Sequence, residues 1–298
     1  MPVHAFLDNE YSSSICRRPP TTRTGQVVGG TFYDLRMKPF ALAVMLGLCA
    51  TTAMAQDSSW FDRVLAIKAE QPSWMTPLVT VTPRLEQEFR YDVVSRRDPN
   101  SMTFGFGKGI ELIPAERLQV SISVPPYVTH EASAAPNGFG DMSVLTKIRL
   151  WASPEAERNG IVTAFVGVTF PTGHVPNGSG TTVLTPTLAV GKGWGRLDVQ
   201  STAAINVPFN GAEKTVAWNT AVQWHVGQFL WPEVEANATW FSTSGHRQTF
   251  VTPGVIVGRF HLTKRVGLSF GGGVSLAASS YHTESRRWTF TVRFPFPL

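Results

Sequence analysis

What most restricts the fold of this chain is an alternation of apolar and polar residues that starts near Arg84 and keeps returning up to the C-terminus. In its first stretch, residues 84–94, Leu85, Phe89, Tyr91 and Val93 share one side. Arg84, Glu86, Glu88, Arg90 and Asp92 share the other. A repeat of two is the signature of an extended strand, whose successive side chains point to opposite faces. The pattern recurs at 118–124, 197–207, 215–226 and 266–276, and more weakly at 102–113, 141–152, 161–170, 182–192, 232–241, 249–262 and 286–298, which makes twelve strands in all. After residue 55 no apolar run reaches the roughly 18 residues that a spanning helix needs.

Composition decides what the two faces meet. Only 16% of residues are charged, against about 25% in an ordinary globular domain. The polar sides are mostly Thr, Ser, Asn, Gln and Gly, whereas a soluble two-sheet sandwich would turn a charged side to water. The oily sides carry Trp and Phe near the strand ends, where interfacial girdles sit. The pattern therefore predicts an all-β fold, an antiparallel transmembrane β-barrel of about 12 strands with a short N-terminal periplasmic helix, located in a bacterial outer membrane. An even strand number and alternating short and long connections fit that class. The expected connections run from a tip at 96–101 and a tight turn at 114–117 to a long loop at 125–140, a turn at 153–160 and a loop at 171–181. Two positions conflict with it. Lys108 falls in phase with the oily residues Phe104, Phe106, Ile110 and Leu112, which calls for a bulge at Gly107 or Gly109. Pro253 interrupts a paired strand and calls for another.

The last strand places Trp288, Phe290, Val292, Phe294, Phe296 and Leu298 at every second position. Such an ending resembles the terminal strand that barrel-assembly machinery captures by strand addition, and makes that machinery an expected partner, with outer-membrane lipid. At the other end, Lys38 precedes the apolar run 40–50, and Ala53 and Ala55 supply small residues before Gln56. These are the three parts of a secretory signal peptide. The run is too short for a membrane anchor, and Leu48 before Cys49 is too bulky for a lipoprotein signal. The expected organisation is a non-native upstream extension at 1–36, a signal peptide at 37–55, a periplasmic segment or plug helix at 56–82 and the barrel at 83–298. Without residues 1–55 the chain keeps 21 basic and 18 acidic residues and no cysteine. It has no Lys/Arg run that would track nucleic-acid phosphates.

The inward rows then give a set of expected lumen-lining residues: Arg84, Glu86, Glu88, Arg90, Asp92, Glu111, Lys147, Arg149, Asp198, His225, Glu235 and Arg293. Among them five Arg or Lys face six acids. Such a near-neutral set suits ion-pair ladders that brace a narrow barrel or form a polar constriction, and does not suit a strongly ion-selective pore. Residues 56–82 contain Trp60, Phe61, Val64, Leu65 and Lys68 at helical spacing, with Asp57, Ser58 and Ser59 as candidate caps.

Enzymatic readings are weaker. Ser280, His282 and Glu284 invite a triad, but residues two apart on a strand lie about 6.8 Å apart, too far for a proton relay. Ser244 and His246 form a similar casual pair. Neither His130 with Glu131 nor His282 with Glu284 shows metal-ligand spacing, and no Gly-rich phosphate loop opens a helix. No catalytic residue, metal or cofactor is expected.

Residues 170–173 (Phe-Pro-Thr-Gly) at a strand end, the Gly-rich loop after them, residues 185–193 and the strand from Arg196 resemble the outer-membrane transporter family of the meta-pathway of phenol degradation. The resemblance spans roughly residues 83–298 and implies a barrel that passes a small solute, hydrophobic or aromatic. It brings no catalytic residues. The alternatives are a lipid-modifying outer-membrane enzyme and a structural barrel without transport.

Overall fold

The computed structural model describes residues 59–131 and 135–297. The expected upstream extension and signal peptide lie outside the described residues. Among the described residues one helix, α1 (Trp60–Ala69), precedes the strands. Ser59 caps it reciprocally: its hydroxyl accepts from the Asp62 amide at 3.3 Å, while its own amide donates to the Asp62 carboxylate at 3.2 Å. This capping box satisfies two donors that a helix start leaves open.

Fourteen β segments follow: β1 (Glu88–Arg97), β2 (Ser101–Ala115), β3 (Leu118–Ile122), β4 (Tyr127–His130), β5 (Gly138–Phe139), β6 (Met142–Ser153), β7 (Gly160–Phe170), β8 (Val183–Trp194), β9 (Leu197–Pro208), β10 (Thr215–Trp224), β11 (Leu230–Phe241), β12 (Arg247–His261), β13 (Gly267–Ala277) and β14 (Arg286–Pro295). They form one antiparallel sheet that closes because β1 pairs with both β2 and β14. β3 and β4 both pair with β2 and are two halves of one spanning strand; the Pro125-Pro126 pair, with no amide hydrogens, separates them. β5 continues into β6 across Gly140-Asp141 in the same way. The cylinder therefore has twelve spanning strands. The expected loop 125–140 is shorter than the sequence indicated, because β4 and β5 extend that hairpin.

Alternation is visible as burial. In β1 the even positions Glu88, Arg90 and Asp92 are buried, and Phe89 and Tyr91 are exposed. The exposed outer surface carries Ile148, Val166, Leu188, Val222, Val234, Phe270 and Phe290 along the middle of the strands. Exposed tryptophans stand toward the ends: Trp151, Trp194 and Trp224 beside the short turns, and Trp240 and Trp288 beside the longer loops. Hydrocarbon with a polar boundary at each end is the solvent that suits such a surface. In lipid, closure is also what leaves no strand edge with unpaired backbone groups.

The two sequence conflicts resolve differently. Along β1 and β2 the register slips on both sides of Asp92, and Gly105 and Gly109 take left-handed φ values of 78° and 64°. At Gly109 a Cβ would lie 2.3 Å from the Ile122 carbonyl oxygen, so this approach requires glycine. Pro253, in contrast, makes no bulge. The β12–β13 register is the same before it (Val251↔Leu276) and after it (Gly254↔Gly273). The ladder is bridged there by a side-chain hydrogen bond, from the Thr252 hydroxyl to the Ser275 hydroxyl at 2.8 Å. The same device recurs at Pro186, where the Thr185 hydroxyl donates to the Asn206 amide oxygen at 2.9 Å. The slip in β12 lies further on, between Val257 and Phe260, beside Arg259 at φ 62°.

Candidate functional site

The interior of the cylinder holds a strap, residues 70–87, that leads from α1 to β1 as neither helix nor strand. Pro72, Pro77 and Pro83 remove the amides that regular structure would need. The strap touches inward-facing groups of strands all around the barrel, and such contacts are possible only from inside it. Its backbone is the part that is held. Arg90 (β1) donates to the Pro77 and Leu78 carbonyls, and Arg293 (β14) to those of Thr76 and Pro77. Lys147 (β6) donates to the Thr82 and Arg84 carbonyls at 3.1 and 3.0 Å. Thr163 (β7) donates to the Pro83 carbonyl at 2.6 Å, and Gln200 (β9) to that of Met75 at 2.9 Å. From β11, Glu233 accepts the Leu78 amide at 3.0 Å, and Glu235 accepts those of Val79 and Thr80 at 2.7 and 2.5 Å. Wall cations hold carbonyls and wall carboxylates hold amides. Charge-assisted hydrogen bonds of this kind are the stronger ones.

Side chains of the strap fit gaps in the wall. A Cβ at Gly254 would meet Leu78 Cδ1 at 2.4 Å, and one at Gly273 would meet the same atom at 2.8 Å; at Gly271 the distance to Cδ2 would be 3.0 Å. The glycines of β12 and β13 thus form a socket for Leu78. Gly191 (β8) likewise leaves room for Trp74, whose ring would lie 2.4 Å from an added Cβ. Met75 and Leu78 join Trp231 and Ile256 of the wall in one apolar cluster, and Val64 and Ile67 of α1 join Leu85 and Ile113 in another.

The twelve sequence-derived residues have several destinations. Arg90, Lys147, Arg149, Glu235 and Arg293 all grip the strap or its approach, with Arg149 donating to the Ile67 carbonyl and pairing with Glu70 at 2.6 Å. Arg84 and Glu86 do not belong to the first strand: they pair with each other at 2.9 Å within the strap. The strand begins at Glu88 instead, because the backbone just before it is satisfied by side chains. The Leu85 amide and carbonyl both bond to Gln71, and the Glu86 amide donates to Gln119 at 2.6 Å. In consequence Leu85, expected on the oily outer face, is fully buried. Asp92 pairs with Arg90 at 2.8 Å, Glu88 and Glu111 are buried opposite each other across β1 and β2, and Asp198 accepts from His225 at 2.7 Å. Sequence reading missed Glu233, two residues before Glu235 on the same face, together with the neutral grips Gln119, Thr163 and Gln200.

The suggested catalytic sets do not assemble. The Glu284 carboxylate is bound by Arg96 at 3.0 Å and Arg287 at 3.4 Å, while His282 hydrogen-bonds the Ser279 carbonyl. Ser244 donates to Glu213, and the His246 ring stacks on Tyr281 at 4.1 Å. Among the described residues no group of three His, Cys, Asp or Glu could hold a metal ion.

Above the strap, at the end with the longer loops, Asp141 fixes loop 171–182. It accepts the Gly173 amide at 2.9 Å, and the Ser179 amide and hydroxyl at 2.6 Å each. Burial pushes its carboxyl upward, but the bonds from Ser179 and from the Gly173 and Thr172 amides outweigh it and hold the group below the ordinary aspartate value.

No protein-family model matches the chain, and no curated protein does. Among solved structures, the COG4313 outer membrane channel from Pseudomonas putida F1 aligns with a TM-score of 0.50 at 15% identity, over 72% of this chain and 96% of that one. The NanC porin and the KdgM porin align more loosely, at TM-scores of 0.47 and 0.42 and 10% identity each. These cover 71% of this chain and 100% and 99% of theirs. The first likeness shows a shared fold, a closed antiparallel β-barrel.

Proposed function

We propose that the protein is a passive outer-membrane channel for a small solute, closed in the present state by its own strap. One observation carries this reading: five inward charged residues of the wall, Arg90, Lys147, Glu233, Glu235 and Arg293, are spent on the strap's backbone, so the closing element is a bound ligand of the lumen and not part of the barrel. Side chains such as Phe165, Trp231, Phe250 and Ile256, buried on the inner face, support a solute with an apolar or aromatic body. Membership of the phenol meta-pathway transporters, suggested by residues 170–173 and 185–193, agrees with that solute class. On this reading the longer loops face outward, the short turns and α1 face the periplasm, and β14 is the strand offered to the assembly machinery. A lipid-modifying enzyme is disfavoured by the dispersal of its candidate Ser, His and Glu groups.

The test is conductance in planar bilayers before and after deletion of residues 56–82. The expected result is a small or flickering conductance for the full chain and a stable, larger one for the deletion, with aromatic solutes entering vesicles only in the second case. Equal conductance with and without the strap would overturn the reading of a strap-closed channel.

A further inference from the structure

We propose a binding site for a phosphorylated glycolipid on the outer face of the barrel, where β1 and β14 meet at the end with the longer loops. The observation is a contrast between two neighbouring rungs. Arg96 faces Arg287, and Arg97 faces Arg286, as direct cross-strand partners. Like charges placed directly opposite each other destabilise a sheet. On the inner face the cost is removed from within: Glu284, itself buried, binds both Arg96 and Arg287. On the outer face, Arg97 and Arg286 have no carboxylate within ion-pair distance among the described residues. Asp98, the nearest acid in sequence, is engaged by the Ser285 hydroxyl. The outer pair lacks its counter-charge.

The surroundings specify what would supply it. Arg97 and Arg286 border a cavity of about 360 Å³ at the rim, whose lining includes Asn100, Met102, Glu131 and Trp288 and, from the inner row, Arg96 and Ser101. Trp288 and Ser95 are cross-strand partners one rung pair nearer the barrel's middle, and Met102 lies beside Ser95 on β2. Trp288 continues the exposed apolar row of Phe290 and Val292. The two cations therefore sit at headgroup height, over an interfacial tryptophan. A phosphate monoester suits a pair of guanidinium groups. Glu131 and Asn100 would repel or ignore a bare phosphate, but they accept and donate hydrogen bonds to sugar hydroxyls. The combination fits a sugar phosphate whose acyl chains lie along Trp288 and Phe290. An outer leaflet built of lipid A-type molecules supplies that chemistry.

The test uses the full chain, purified in a mild detergent and titrated with diphosphorylated lipid A. Bound lipid is counted by native mass spectrometry, and folding is checked by heat-modifiable gel migration. Tight binding of one lipid per barrel is expected, weakened roughly tenfold or more in the Arg97→Gln/Arg286→Gln variant and by dephosphorylation of the lipid. Arg247→Gln, which removes another exposed base of the same rim that lies over Trp240, should leave binding unchanged. Equal binding by the folded double variant, or equal loss in Arg247→Gln, would overturn the site. Displacement by millimolar inorganic phosphate, or equal retention of phosphatidylglycerol, would overturn the assignment to a glycolipid. Should the double variant not fold, dephosphorylated lipid A binding the unaltered chain as tightly would refute the proposal alone.

Discussion

Replacing Gly254 by alanine should release the strap without harming the barrel. The added Cβ would lie 2.4 Å from Leu78 Cδ1, a separation that forces a shift, whereas its other neighbours, the Gly272 carbonyl and a Glu233 oxygen, are 3.3 and 3.5 Å away. The methyl's severe conflict is therefore with the seated strap, while the Gly272 carbonyl needs to give only a few tenths of an ångström. Overpacking of this size costs about 1–3 kcal/mol. At 1.4 kcal/mol per tenfold, the released population rises by roughly 5- to 150-fold. Leu78→Ala should also favour release, since emptying this buried position costs about 2–5 kcal/mol. Combined, the two changes should cost less than their sum, because the new methyl enters space that Leu78 has vacated; couplings between touching residues run to about 0.5–3 kcal/mol. Bilayer conductance of the four proteins, each repeated in the 56–82 deletion, measures the cycle. Strict additivity would refute the socket, as would a Gly254→Ala effect of the same size once the strap is gone.

Three further outcomes are expected. Leu188→Arg, at the middle of the exposed face of β8, should destabilise the barrel in lipid vesicles by about 2–4 kcal/mol in urea unfolding, and unchanged stability there would argue against hydrocarbon on that face. Lys147→Met removes two charge-assisted bonds to the strap, each worth about 1.5–3 kcal/mol, but also a buried charge whose desolvation offsets part of the loss. Protease nicking within residues 70–82 should accelerate, and an unaltered rate would mean that Lys147 does not hold the strap. Because the Asp141 carboxyl is held below its ordinary value, its grip on loop 171–182 is fully present above the unfolded value near 4 and is lost as pH falls through the lower, folded value. Hydrogen exchange at the Gly173 and Ser179 amides should therefore stay slow at pH 5–7 beyond the intrinsic trend and quicken only in stronger acid. Loosening already at pH 6 would contradict this sign.

Strand count, strand order and the outward apolar rows were legible because a period of two has one physical cause, a backbone with a different solvent on each side. Glu235 and Arg293 could be placed inward by that phase alone. The course of the strap was not legible: the expectation was a periplasmic segment or plug helix at 56–82, and residues 70–87 are neither helix nor strand. Residues 84–86 continue the alternation of β1, yet they form no ladder, because Lys147, Gln71 and Gln119 occupy backbone groups of Arg84, Leu85 and Glu86. Side chains distant in sequence decide this, and no local pattern reports them. Pro253 misled for a related reason: a missing amide can be replaced by a hydroxyl bridge across the rung, and Thr252 with Ser275 does so without any extra residue. Glycines in β12 and β13 keep the alternation without showing a partner, and in the structure they serve as clearance for Leu78.

A lumen that recognises carbonyls and amides is nearly indifferent to which amino acids carry them. Away from the packed Trp74, Met75, Leu78 and Leu85 and the side-chain bonds of Gln71, Thr82, Arg84 and Glu86, single changes in the stopper should leave its grip intact, and a protease site grafted at the exposed Glu70 or Ser73 would convert this barrel into a valve opened on demand.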